Sequence, residues 1–193
     1  MFNNIWKQTI GDIMAEEHRA AEHHRSAVSH HEAAARYHRE ASKHYQIGHD
    51  HAHAAHQALI ALGQAWQAVD HAKTANGYYA DHDIDSLQKY MEQVPRFLSK
   101  PYDSAGIPQT TLGCAEHHAV AADNHEQAAK HHRRAAQHCD EKNYMMAACE
   151  AHLAHGHAQH SIFHGIEAAK HHVDHQTQNP ADRRELDAQG WHE

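Results

Sequence analysis

Between residues 20 and 45 the same side-chain types return at every seventh position, and this repeat limits the folds open to the chain. Seven residues make about two turns of an α-helix, so each column of the repeat follows one helix face. Charged residues such as Glu22, Arg36 and Lys43 mark one side of this helix. The opposite side is a histidine column bordered mostly by alanine: His24, His31 and His38 beside Ala20, Ala27, Ala34, Ala41, Ala21 and Ala35. The repeat therefore predicts a helix whose inward centre is histidine.

The same pattern occurs a second time, which indicates an internal duplication. Residues 22–45 align with residues 116–139 at a constant offset of 94. The histidines that superpose are His23/His117, His24/His118, His31/His125, His38/His132 and His44/His138. Beyond a turn that is one residue shorter, the offset becomes 93 and His71 aligns with His164. Each half is predicted to be a helix, a tight turn and a second helix.

These patterns predict an all-α fold, a four-helix bundle made of two duplicated helical hairpins. Abundant alanine with glutamate, lysine, arginine and glutamine favours helix, and the helices are expected over about 10–46, 49–76, 113–140 and 143–176. We expect one domain over residues 1–176, with hairpins 10–76 and 113–176. The long connector 77–112 is expected to carry a short amphipathic helix, and residues 177–193 form a polar tail.

Composition narrows the range of partners and locations. The net charge is −8 at pH 7 with all 28 histidines neutral, and mild acid would reverse its sign. A chain that is acidic at pH 7 lacks the basic patch of a nucleic-acid-binding protein. No stretch approaches the roughly 20 apolar residues of a membrane span, and no secretory signal is recognisable. We therefore expect a cytoplasmic protein without nucleic-acid or membrane partners, and a homodimer is left open.

Buried imidazoles point to metal ions as the partner. A buried polar group without a hydrogen bond costs about 1–3 kcal/mol, and here that cost would recur in successive layers. Neutral imidazole is a good ligand for copper, zinc and nickel, and bound ions would offset the cost. We expect several ions per chain, copper first and zinc or nickel as alternatives. The predicted ligands are His24, His31, His38, His71, His118, His125, His132, His157, His160, His164, His171 and Cys139.

Catalytic motifs are missing from the sequence, which leaves an enzyme as an alternative only. Neither the H-E-x-x-H pattern of zinc proteases nor the Glu-x-x-His pattern of di-iron bundles occurs. We assign no catalytic residue. One alternative is an oxidase-like di-metal enzyme with its centre around His31, Glu32, His125 and Glu126. The other is a metal-free helical protein that opens when its histidines are protonated.

In its arrangement of inward-facing ligand layers, the chain resembles bacterial copper storage proteins. Those proteins are four-helix bundles lined with cysteine, whereas this sequence has histidine at the comparable positions of its first and third predicted helices. The resemblance covers the two hairpins and implies storage of metal in the interior of the bundle. The change from cysteine to histidine favours a borderline ion over a cuprous thiolate cluster.

Overall fold

The computed structural model describes residues 2–48, 50–80 and 112–178, with side chains over 18–48, 50–78 and 112–174. These residues form four α-helices and no strand: α1 Phe2–Ile47, α2 His51–Ala80, α3 Cys114–Asp140 and α4 Tyr144–Gln178. The predicted all-α, four-helix architecture is confirmed. Most helix ends lie within a few residues of the prediction, but α1 begins well before residue 10. Residues 2–9 contain neither glycine nor proline, and Gly11 just after them costs a long helix only about 1 kcal/mol.

Short turns join α1 to α2 and α3 to α4. Gly48 ends α1 in the left-handed region, with φ of 73°, and its amide donates to the carbonyl of His44 at 3.2 Å. The carboxylate of Asp50 accepts the amide of His53 at 3.0 Å and so caps the first turn of α2. In the second turn Lys142 takes the left-handed conformation, with φ of 58°.

The helices pack around a core made almost entirely of alanine and histidine. α1 packs along both α2 and α3, α3 packs along α4, and the contact between α2 and α4 is smaller. Alanine brings the backbones close together, while histidine supplies the volume. Among the described side chains, six of the eight largest that are fully buried are histidines: His24, His31, His38, His118, His125 and His132. Larger aliphatic side chains pack in a small cluster that includes Val69 and Ile162.

Two predicted regions lie mostly outside the described residues. Residues 77–80 of the predicted connector belong to α2, while its expected short helix falls within residues 81–111, which are not described. Residues 177–178 of the predicted tail belong to α4, and residues 179–193 are not described. Within the described ranges, no helix is both long and apolar enough to cross a membrane.

Candidate metal centre: paired histidines

Histidines of α1 and α3 meet in three pairs along the interface of these two antiparallel helices. The Nδ1 atoms of His24 and His132 lie 3.1 Å apart, those of His31 and His125 3.0 Å, and those of His38 and His118 3.1 Å. All six side chains are at most 2% exposed. We call these six residues the central column.

Stacked rings connect one pair of the central column to the next. The rings of His31 and His132 lie 5.5 Å apart with an interplanar angle of 13°, and those of His38 and His125 lie 5.5 Å apart at 16°. At one end Tyr45 stacks on His118 at 5.4 Å. Hydrogen-bonded pairs and stacked pairs thus alternate, so the six imidazoles form a continuous file through the bundle.

Hydrogen bonding in the central column is incomplete. A neutral imidazole has one donor and one acceptor nitrogen, so each Nδ1–Nδ1 pair joins an Nδ1-protonated ring to an Nε2-protonated ring. The buried Nε2 atoms of His31, His125 and His132 have no hydrogen-bond partner in the described part of the chain. Such an atom costs about 1–3 kcal/mol, which a bound ligand or a rearranged pair would recover.

Burial keeps the central column neutral at physiological pH. It lowers the pKa of His31 and of His38 to about 3 and the pKa of His24 to about 4, with neighbouring imidazoles adding to the effect. Burial likewise holds the pKa of His125 and of His132 well below the ordinary value. A neutral imidazole keeps one lone pair for a metal ion, so no ring has to lose its charge at pH 7; in each pair the Nδ1 proton would move to Nε2 when an ion binds both Nδ1 atoms.

One further histidine pair lies between the two helices of each half. We call these two pairs the flanking pairs. His23 of α1 meets His71 of α2 with the Nδ1 atoms 3.0 Å apart, and His117 of α3 meets His164 of α4 at 2.9 Å. Each flanking pair has a third ring beside it. His30 stacks on His71, with ring centres 5.4 Å apart. A different helix supplies the third ring in the other half: His171 of α4 stacks on His117 at 5.3 Å.

Carboxylates lie close enough to the flanking pairs to affect their pKa values. The pKa values of the central column are shifted by burial and by other imidazoles, not by carboxylates. Burial lowers the pKa of His117 and of His164, while the nearby negative charge of Glu167 opposes that shift in both. Asp70 acts in the same sense on the pKa of His71. A cation at a flanking pair would therefore have a negative charge close by.

Residues that align between the two halves make matching contacts. The pair His23–His71 aligns with His117–His164, and both pairs form Nδ1–Nδ1 contacts. In a second pair of aligned contacts, the histidine and the amide side chain have changed places between the two helices. His30 meets the side-chain oxygen of Gln64 at 2.7 Å. At the aligned positions an amide and an imidazole meet again, Asn124 with His157 at 3.1 Å.

The remaining predicted ligands lie apart from the central column. His157 is half-buried and stacks on His131 at 5.4 Å, whereas His160 is exposed on α4. Cys139 is buried beyond the last pair, in a cluster with Ala20 and other small residues. His23 and His117 were not among the predicted ligands, because their column lies at the edge of the helix face that the sequence marks as buried.

The carboxylates of the predicted di-metal centre point away from the histidines. Glu32 accepts a hydrogen bond from Arg133, and Glu126 forms an ion pair with Arg39, both on the exposed side of the α1–α3 interface. These side chains line an open groove rather than the interior. The structure therefore does not bring Glu32 and Glu126 together with His31 and His125.

Each histidine pair offers two ligand nitrogens. Nowhere in the described ranges do three or more histidine, cysteine or acidic side chains converge on one point. Metal–imidazole bonds of about 2.0–2.1 Å place two nitrogens of a tetrahedral ion about 3.3 Å apart and those of a linear ion about 4 Å apart. The pairs at 2.9–3.1 Å would have to open by a few tenths of an ångström for the first geometry and by about 1 Å for the second.

The two ends of the central column differ. Beside His118 and Tyr45, a cavity of about 290 Å³ lies between α2 and α4, with Leu59, Leu62 and Ile166 in its wall. At the other end the aligned positions are polar and carry His152, His155 and Lys73. The Tyr45 end is thus mostly apolar, with His172 as a further imidazole in the cavity wall, while two of the aligned positions at the His132 end are histidines.

No protein-family model, curated protein or solved structure significantly matches this chain.

Proposed function

We propose that this protein binds several transition-metal ions at its histidine pairs and serves to store, buffer or detoxify them, with copper as the first candidate and zinc or nickel as alternatives. The observation that carries the proposal is the set of five Nδ1–Nδ1 pairs, three central and two flanking. In this proposal the bundle consists of two duplicated hairpins, and the duplication supplied the matching ligands.

The charges around the pairs support copper over zinc in the central column. Zinc prefers four ligands, and each central pair supplies two nitrogens between walls of buried alanine. A divalent ion there would be a buried charge without a counter-ion, which is costly. Monovalent copper carries half that charge and accepts fewer ligands. The flanking pairs, with a third imidazole and a nearby carboxylate such as Glu167, suit a divalent ion better.

The test is a count of ions bound at equilibrium by protein purified without a histidine tag. Copper, offered with and without a reductant, zinc and nickel are each added in excess, and bound metal is measured after desalting. The double variant His31→Leu with His125→Leu should lose about one ion per chain. The matched control, His18→Gln with His56→Gln, changes two exposed histidines and should lose none. Wild-type protein that retains no metal, or a pair variant with full capacity, would refute the proposal.

A second candidate function, a metal-free response to acid, is supported by the lowered pKa values of the central column. Six imidazoles that are neutral when folded would take up protons on unfolding, so the bundle would open in mild acid. Helicity and melting temperature that respond to pH but not to any added metal would favour this function.

A further inference from the structure

The pair at the His132 end of the central column lies near two histidines of α4 that follow one another toward the surface, His155 and His152. α3 and α4 are antiparallel, and Ala128 of α3 shares an apolar cluster with Ala158 of α4. One turn after Ala128 in α3 is His132, and one turn before Ala158 in α4 is His155. The register of the two helices therefore places His155 level with His132.

Exposure increases step by step from His132 to the surface. His132 is fully buried, His155 is half-buried, and His152, one turn earlier on α4, is exposed. Burial is the main cause of the lowered pKa of His132 and of His155; charge on His155 lowers the pKa of His132 further, and charge on His152 that of His155, as expected of neighbouring imidazoles. The buried Nε2 of His132 has no hydrogen-bond partner among the described side chains, and it offers a lone pair to an ion when the proton of this ring is on Nδ1.

The opposite end of the column is lined differently. The positions that align with His152 and His155 are Leu59 and Leu62, and both line the mostly apolar cavity beside His118. The further imidazole in the wall of that cavity is His172, whose Nδ1 is hydrogen-bonded to the Tyr45 hydroxyl at 2.9 Å, so an ion crossing it would shed water among mainly apolar side chains, which is unfavourable. The aligned histidine pairs of the two halves match, whereas Leu59 and Leu62 of one half are replaced by His152 and His155 in the other.

We propose that metal ions load the central column from the His132 end, with His152 and His155 as successive ligands that pass each ion inward to His132. This inference rests on the proposed storage function. The transfer exchanges coordinate bonds only: an ion exchanges water for an imidazole of His152, then that imidazole for His155, then His155 for His132. No electron transfer is required, and the three imidazoles are neutral before and after the ion passes.

The experiment compares loading rates with equilibrium capacity. In His155→Leu, α4 carries the side chain that α2 carries at the aligned position Leu62. Copper uptake, followed by stopped-flow with a chromophoric copper chelator as donor, should slow at least tenfold in this variant. The bound metal at equilibrium should match wild type, and circular dichroism checks the fold. The matched control His56→Leu replaces an exposed histidine of α2 and should load at the wild-type rate.

The reciprocal variant Leu62→His keeps the inference testable if His155→Leu does not fold. It places an imidazole at the apolar end and should speed uptake by opening a second route. Wild-type rates in His155→Leu, or in Leu62→His, would overturn the inference and leave the storage function standing. Reduced capacity in His155→Leu would also overturn it, since His155 would then be a storage ligand. A wild-type protein that binds no copper would instead remove the proposed function itself.

Discussion

His31 and His125 face each other across the α1–α3 interface with their Nδ1 atoms 3.0 Å apart. Each is the other's equivalent in the alignment of the two halves, so this pair lies at the centre of the matching contacts. The two rings share one hydrogen bond, and their buried Nε2 atoms have no partner in the described part of the molecule. The pair is thus the place where the energetic cost of a histidine core can be measured most directly.

The single variant His31→Leu should destabilise the ion-free protein by about 1–3 kcal/mol, because it leaves the Nδ1 atom of His125 buried without a partner. Adding His125→Leu removes that atom and should recover part of the loss. Urea unfolding of both single variants and the double variant gives the coupling free energy. If the double variant loses as much free energy of unfolding as the two single variants together, or more, the two histidines do not stabilise each other.

The free energy of unfolding should fall steeply below pH 6.5. Burial gives His31 and His38 a pKa of about 3 and gives His24 and His118 a pKa of about 4, below the value of about 6.5 in the unfolded chain. The unfolded state therefore binds more protons in this range, and folding loses about 1.4 kcal/mol per pH unit for each such imidazole. We expect unfolding between about pH 6 and pH 4, measured by circular dichroism.

The double variant His31→Leu with His125→Leu is the control for this acid transition. Two imidazoles fewer should make the loss of stability with falling pH shallower and move the midpoint to lower pH. Helicity that persists unchanged at pH 4 in the wild-type protein would contradict the expected proton uptake.

Ser161→Ala should cost about 1 kcal/mol, since the Ser161 hydroxyl donates a buried hydrogen bond of 2.7 Å to the carbonyl of Ala121. The aligned residue in the other half is Ala68, which shows that alanine is accepted in the matching helix interface. Thermal unfolding at neutral pH measures the difference. Ser29→Ala, at an exposed position on α1, is the control and should change stability little. Equal effects of the two variants would mean that the buried bond contributes nothing.

Gly48→Ala should destabilise the protein by about 1 kcal/mol, because φ of 73° is strained for any residue with a Cβ atom. A methyl group there would touch nothing within 4 Å, so the cost comes from the backbone alone. Lys142→Gly, in the second turn with φ of 58°, should give a gain of similar size. Urea midpoints of the two variants should move in opposite directions, and a common direction would rule out this account of the turns.

The sequence repeat was sufficient to predict most of the side chains that are buried in α1 and α3, although His117, at the edge of the predicted face, is buried as well. Helical periodicity places His24 and His118 opposite the charged columns, and both are buried. The change of alignment offset from 94 to 93 likewise located the two turns, and most predicted helix ends lie within a few residues of the observed ones. The start of α1 was the main error, since nothing in residues 2–9 stops a helix and the periodic pattern begins later.

The pairing of histidines could not be predicted, because it depends on how two helices are rotated and aligned against each other. The periodicity of one helix is the same whether His24 meets His118 or His132, and the antiparallel direction decides for His132. The flanking pairs were missed for a related reason. His23 lies at the edge of the buried face of α1, and the rotation of α2 brings His71 to it.

Because the histidines of the central column repeat every seven residues, α1 and α3 could also pair in a register shifted by seven residues. Sliding one helix past the other by seven residues, about 10.5 Å, would bring His31 to His132 and His38 to His125, which again gives two histidine pairs, and would place His24 opposite Cys139 and Tyr45 opposite His118. The turns fix α1 to α2 and α3 to α4, but neither turn joins α1 to α3. Tyr45 and Cys139, which replace histidine at the ends, therefore act as stops. A chain with histidine at both positions should fold into a mixture of shifted forms.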